Sequence, residues 1–278
     1  MKKIQTLLAI AVGSALLSLG LTASAQASKP GYATVVRVKG SASYSLDNGT
    51  NKYPLVAGKF LEKGATIYTG PDGVVDVILG KAIDLPQAAW QPERISLAVD
   101  SPVRGLVTYK PSAEQNAVRL MGNSALCIDK LTTTSAGADT VSDTELDLQK
   151  GTMFASVKKL SAAAQYLVKT PTGIAGVRGT QFSITLNDDG SVQNVSVFHT
   201  LNDDGLVLAV TSPGGSTQTF LIKEDQTWQP GNPNPVPLSP QLRNLLSLTF
   251  DALRTIYAQV VSYDYDRTQQ RESSDFGF

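Results

Sequence analysis

Short segments of alternating apolar and polar residues, separated by glycine-containing turns, dominate most of this chain. The clearest alternation places Phe182, Ile184 and Leu186 on one side of a segment, with small polar residues between them. Similar segments, rich in β-branched and aromatic residues, occur at 33–38, 41–46, 65–69, 74–79 and 195–199. Alternation with a period of two is typical of strands that bury one face. We therefore expect residues 33–229 to form an all-β domain whose sheets have one buried and one solvated face.

The turns between these segments favour consecutive hairpins. Two similar turns, Asn-Asp-Asp-Gly at 187–190 and again at 202–205, flank the segment at 195–199. Asn, Asp and Gly supply the backbone conformations that tight hairpins require. The pattern predicts an antiparallel β-sandwich or a rolled meander, with a β-solenoid as the alternative.

Two parts of the chain depart from this pattern. The spacing becomes irregular at about 84–119, where four prolines occur, and we interpret this stretch as an insertion in the β domain. Residues 230–238 are rich in Pro and Asn, and this composition predicts an extended linker.

One amphipathic helix is predicted at 239–262, followed by a polar, frayed tail at 263–278. Ser239 suits the N-cap and Pro240 suits the first helical position. Apolar residues then recur at three- and four-residue spacing and give one apolar stripe. We favour packing of this stripe on the β domain. The alternative is a docking element for a partner or for another copy of the chain, with its contacts at Leu242, Leu246, Leu253 and Tyr257.

The first residues predict export. Lys2 and Lys3 precede an apolar run, and two A-x-A patterns follow at 23–25 and 25–27. A basic start, an apolar run and small residues at a cleavage site are typical of a signal peptide. We expect residues 1–25 to be removed, with cleavage after Ala25 or Ala27. No second apolar run is long enough to span a membrane, so the exported chain is expected in the periplasm or outside the cell.

Composition limits the kinds of partner and site that this chain can have. The chain has 24 basic and 24 acidic residues, which argues against nucleic acid as a partner. Cys127 is the single cysteine and His199 the single histidine, so the sequence contains neither a disulfide pair nor a histidine cluster for a metal. We expect Cys127 to be a core residue and His199 to be structural or exposed. No cofactor, metal site or catalytic residue is predicted.

One long stretch carries a family resemblance. Residues 143–184 read DTELDLQKGTMFASVKKLSAAAQYLVKTPTGIAGVRGTQFSI, and the stretch at 35–79 contains LEKGATIYTGPDGVVDVIL. Both resemble the FecR domain, above all the run TPTGIAGVRGTQF at 170–182. The region at 84–119 does not follow the family pattern. The β-solenoid remains an alternative because these two stretches would stack as related units.

The physical chemistry of the run at 170–182 predicts a structural turn. Proline restricts the residue before it to an extended conformation, and glycines permit positive φ or close backbone approach. We expect the arginine between two glycines to pair with a neighbouring loop. The predicted turn residues are Pro171, Gly173, Gly176, Arg178, Gly179 and Thr180.

The resemblance implies an envelope function. The FecR family includes signalling regulators that cross the inner membrane and control a sigma factor. Only three residues precede the apolar run here, so we expect this chain to lack the cytoplasmic anti-sigma segment. The leading hypothesis is a non-enzymatic binding domain whose partner is an envelope protein or a surface glycan. The alternative is an enzyme that acts on envelope glycan through unidentified carboxylates. The ligand and the oligomeric state stay open.

Overall fold

The computed structural model describes residues 28–80, 116–136, 139–201, 205–212 and 214–275. The predicted signal peptide at 1–25 lies outside these residues. So do residues 84–115 of the predicted insertion and part of the second Asn-Asp-Asp-Gly turn.

The described strands form two sheets. The strands of the first sheet are β1 (Lys29–Pro30), β3 (Ala42–Ser45), β4 (Tyr53–Pro54), β6 (Thr66–Thr69), β9 (Ala125–Ala136), β10 (Asp139–Lys150), β12 (Gln165–Thr170), β13 (Gly173–Val177), β16 (Leu206–Thr211) and β17 (Thr217–Ile222). The strands of the second sheet are β2 (Tyr32–Lys39), β5 (Phe60–Leu61), β7 (Val74–Gly80), β8 (Asn116–Leu120), β11 (Thr152–Ser156), β14 (Thr180–Leu186), β15 (Val192–Thr200), β18 (Gln226–Trp228) and β19 (Val236–Pro237).

The two sheets enclose one apolar core, which confirms the prediction of an all-β, sandwich-like fold. The first sheet runs in the order β17-β16-β13-β12-β10-β9-β6-β3-β4, with β1 paired to β9. The second runs β19-β18-β15-β14-β11-β8-β7-β2-β5. The pairing of β10 with β12 is parallel, unlike the antiparallel pairing predicted throughout. It is parallel because β11, which lies between them in sequence, belongs to the other sheet.

Alternation places the predicted residues in the core. Phe182, Ile184 and Leu186 are all buried between the sheets. Cys127 is also buried, but it lies outside this apolar core, on the opposite face of β9 from the core residues Leu126 and Ile128. The prediction that the opposite face is solvated was wrong at Ser183, which is also buried. The reason lies in the outer face of the second sheet, which is covered rather than open to water.

A helix covers that outer face. Helix α1 (Pro240–Asp275) places Leu246, Phe250 and Leu253 against Ala117 and Phe154, and together they form a second apolar cluster. Its N-terminus has the predicted cap, because the backbone N–H of Leu242 donates to Ser239 Oγ at 3.2 Å. The favoured prediction, a helix packed on the β domain, is therefore confirmed for the described side chains.

The helix is longer than the sequence indicated. It continues to Asp275 through the segment predicted as a frayed tail, and that segment contains neither proline nor glycine before Asp275. Residues 236–237 of the predicted linker form β19, which pairs with β18. In the part of the chain that the structure describes, no helix has the length and apolar character needed to cross a membrane.

Candidate functional site

The run at 170–182 carries the chain from one sheet to the other. Strand β12 ends at Thr170, residues 171–172 form a turn, and β13 follows in the first sheet. Residues 178–179 then cross to β14 in the second sheet. The run thus combines a tight hairpin with a crossing between sheets.

The predicted turn residues divide between these two features. Pro171 lies in the hairpin turn, whereas Gly173 and Gly176 lie within β13. A Cβ at Gly173 would lie 2.6 Å from the carbonyl oxygen of Ala209, so close strand approach requires glycine there. A Cβ at Gly176 would meet nothing nearer than Leu167 Cδ2 at 3.8 Å. Lack of space for a Cβ therefore explains why position 173 is glycine, but it does not explain the glycine at position 176.

Hydrogen bonds hold the crossing in place. Arg178 Nη2 donates to the carbonyl oxygens of Ser161 and Ala162, at 3.3 and 3.1 Å. Gly179 has φ of 64°, and Thr180 Oγ1 donates to the carbonyl oxygen of Arg178 at 3.1 Å. The arginine donates to a neighbouring loop within the chain, which is the contact expected from the sequence.

A pocket of about 300 Å³ lies beside the crossing, between the second sheet and α1. We call it the polar groove. Strands β14 and β15, the loop after β17 and the helix supply its lining residues, which are Gln181, Phe198, His199, Glu224, Arg243, Phe250, Asp251 and Arg254.

Aromatic rings form the base of the polar groove. The ring of Phe250 stacks on Phe198 with centroids 5.7 Å apart, and it meets Phe154 edge to face at 6.1 Å. Phe250 is buried in the second apolar cluster. Packed aromatic side chains lose little further freedom when a ligand binds, so this base is preorganised.

One wall of the groove carries a histidine and a glutamate in contact. His199 Nδ1 lies 3.1 Å from Glu224 Oε2. The backbone N–H of Thr200 donates to the same oxygen at 3.0 Å. The Thr200 N–H and the charge of His199 hold the pKa of Glu224 below its ordinary value. Glu224 is therefore an ionised acceptor at neutral pH, and two residues of β15 fix its position.

The remaining charges are arginines paired with aspartates. Arg243 Nη1 forms an ion pair with Asp225 at the rim. Arg254 Nη2 lies 3.0 Å from Asp251 Oδ1, and both side chains are largely exposed. A guanidinium has five N–H donors, so each arginine keeps donors that a ligand carboxylate or hydroxyl can occupy.

The comparison with protein families matches the part of the chain that contains the run at 170–182 and one wall of the polar groove. Residues 109–200, which include β14 and β15, match the family model described as FecR protein. The chain carries a FecR domain. The stretch at 143–184 lies inside the match and confirms the resemblance, whereas the stretch at 35–79 lies outside it.

Solved structures give a weaker likeness. Two structures from Parabacteroides distasonis ATCC 8503, solved at 2.50 Å and 1.65 Å and each described as a "putative anti-sigma factor", are 15% and 16% identical to this chain. Each likeness covers 47% of this chain and 54% of the other chain, with a TM-score of 0.29. The chain thus spans about half the length of these structures. The comparison with curated proteins gives no match.

The two carboxylates of the polar groove can be compared with those that a glycan-acting enzyme requires. Glu224 and Asp251 both line the polar groove, and a pair of carboxylates is what glycoside hydrolysis uses. The general acid in glycoside hydrolysis needs a raised pKa, whereas the pKa of Glu224 is lowered. Glu224 therefore does not fit the general-acid role. Among the residues that the structure describes, no group of three or more His, Cys, Asp or Glu side chains suits a metal ion.

The four docking candidates on the helix lie on its packed side. Leu246, Leu253 and Tyr257 are buried, and Leu242 packs against the second apolar cluster. In this arrangement these four side chains contact the β domain, whereas Leu245 of the same stripe is 53% exposed.

Most of the polar groove was not predicted from the sequence. His199 was expected to be structural or exposed, and neither Glu224 nor the helix residues of the groove were expected at a site. The sequence of the helix did contain a pattern from which its groove residues could be predicted. Positions 243, 250, 251 and 254 fall on one face at helical spacing. No local pattern connects Glu224 with His199, which is 25 residues away.

Proposed function

We propose that this chain is an exported, non-enzymatic binding domain that acts in the periplasm or outside the cell. Its polar groove holds a partner of the cell envelope, which is an envelope protein or a surface glycan. The observation that carries the proposal is the position of the groove, since β14 and β15 of the FecR domain form one of its walls.

The chemistry of the groove supports recognition. It offers an aromatic base, an ionised glutamate and two exposed guanidinium groups, all on regular structure or directly beside it. Rigid aromatic surface together with a few fixed polar groups is the usual composition of a binding site. A partner with carboxylates or hydroxyls beside an apolar group would match it.

The sequence supports export and one folding unit. The basic residues, apolar run and A-x-A patterns at 1–27 direct the chain across the inner membrane. We propose that the β domain at 33–229, the linker at 230–238 and the helix from 239 onwards fold together after cleavage. Burial of the helix stripe against the sheet favours this arrangement.

Export is tested with alkaline phosphatase, which is active only outside the cytoplasm. We expect activity when the enzyme is fused after residue 278, and none when residues 1–27 are deleted from the same fusion. Equal activity from both fusions would refute export by this segment.

Binding is tested by cross-linking in the host envelope. A photoreactive amino acid replaces Gln181 in the groove or, as a control, the exposed Thr50. We expect one discrete adduct from position 181 and none from position 50. The substitution Arg254→Glu should abolish the adduct, and Lys63→Glu, at an exposed position elsewhere, should not. An adduct that is insensitive to Arg254→Glu would exclude the groove as the binding site.

A further inference from the structure

The four outer edges of the two sheets differ sharply. The terminal strands are β4 and β17 in the first sheet, and β5 and β19 in the second. Strands β4, β5 and β19 have two residues each, and β4 and β19 contain proline. Short strands and prolines are the usual means of preventing another strand from pairing with an edge.

Strand β17 lacks these protections. It has six residues, TQTFLI, without charge or proline, and its N-terminal half is exposed. Its one hydrogen-bonded neighbour among the described strands is β16. The outward N–H and C=O groups of such a strand form a template for a further strand.

An apolar patch continues from this edge onto the outer face of the first sheet. Leu221 lies directly opposite Val207 on β16, and Val207 lies opposite Gly176 on β13. Leu221 and Val207 are 45% and 46% exposed. A Cβ at Gly176 would make only ordinary van der Waals contact, 3.9 Å from the carbonyl oxygen of Val207, so the missing side chain leaves this part of the outer face flat.

We propose that β17 pairs with β17 of a second copy of this chain, so that the two first sheets join into one. The strands run antiparallel about a twofold axis that passes through Thr219. An axis perpendicular to the sheet keeps the outer faces together, so each residue meets one whose side chain points to the same face. This inference goes beyond the proposed function and does not depend on the polar groove.

The charge pattern favours a second copy as the occupant. With the axis at Thr219, Thr217 lies opposite Leu221 of the second copy, and Gln218 lies opposite Phe220. The first charged residue after the strand, Lys223, falls opposite the uncharged Gly215. No like charges meet, so the edge is compatible with itself. Leu221 also gains a neighbour across the new pair.

The first test uses the full exported chain. Sedimentation velocity over about 1–100 µM should show a reversible dimer, in the micromolar range typical of small interfaces. Thr219→Lys places two lysines opposite each other and should raise the dimer dissociation constant at least about tenfold. Thr50→Lys, at an exposed position remote from β17, should leave it unchanged.

The second test does not depend on the lysine variant folding. Thr219→Cys should give a disulfide-linked dimer under mild oxidation, because this position meets itself across the axis. Thr50→Cys should not, and Cys127 is buried. A wild-type chain that stays monomeric at 100 µM would overturn the proposal. So would a dimer unaffected by Thr219→Lys, or an edge that pairs with an added strand peptide and not with a second copy.

Discussion

Arg119 and Asp76 form a two-bond ion pair on the covered face of the second sheet. Arg119 Nε lies 2.7 Å from Asp76 Oδ1, and Nη2 lies 3.0 Å from Oδ2. The two residues are direct neighbours on β8 and β7. Arg119 Nη1 also donates to the carbonyl oxygen of Thr249 in α1 at 3.4 Å. The pair therefore joins the sheet to the helix that forms one wall of the polar groove.

Loss of this carboxylate should be costly. Asp76 also contacts Arg37 Nε at 2.8 Å, so Asp76→Ala leaves two arginines without their buried partner. We expect the free energy of unfolding to fall by about 3–5 kcal/mol, measured by urea denaturation. Asp143→Ala removes the partly exposed pair with Lys130 and should cost less than about 1 kcal/mol. Equal losses would contradict the structural role of Asp76.

The helix should stabilise the domain through its buried side. Leu246→Ala removes a fully buried side chain from the second apolar cluster and should cost about 2–5 kcal/mol in the same measurement. Leu248→Ala, two residues away and 62% exposed, should change stability by no more than about 0.5 kcal/mol. If both variants unfold like the wild type, the helix does not pack as described and the stripe is available for docking.

A side chain at Gly179, in the crossing between the sheets, should destabilise the domain more than a side chain at Gly176 in β13. Gly179 has φ of 64°, and an added Cβ would approach Leu201 Cβ to 3.3 Å. Gly179→Ala should cost about 1–2 kcal/mol, because a side chain destabilises this left-handed conformation. Gly176→Ala lies within β13, where an added Cβ makes only ordinary van der Waals contact, and should cost no more than about 0.5 kcal/mol. Thermal unfolding of the two variants side by side checks the contrast.

Acid should weaken the wall of the polar groove. The folded-state pKa of Glu224 lies below the ordinary value of 4.5, so ionised Glu224 stabilises the fold above that pH. This contribution is lost as the pH falls through the folded-state pKa. His199→Ala should move the pKa of Glu224 up towards 4.5, although the Thr200 N–H still lowers it. Titration of the Glu224 carboxyl by NMR measures both values, and Lys223→Ala serves as the control.

A Glu224 pKa at or above 4.5 in the wild-type chain would contradict the hydrogen bonds described at this wall.

The sequence by itself determined the local features. Alternation at Phe182, Ile184 and Leu186 gave a strand with those residues in the core, because side chains alternate between faces whatever the partner strand. Ser239 and Pro240 determined where α1 begins, because a cap acts within one turn. The FecR resemblance was likewise a property of one continuous stretch.

Only the tertiary structure decided which strands pair and which residues meet. The parallel pairing of β10 with β12 depends on β11 joining the other sheet, and alternation carries no information about sheet membership. The burial of Ser183 depends on the helix that covers the second sheet. Asp76 meets Arg119 across 43 residues, and His199 meets Glu224 across 25. Such contacts follow from the arrangement of whole strands, and the physical chemistry of neighbouring residues does not specify it.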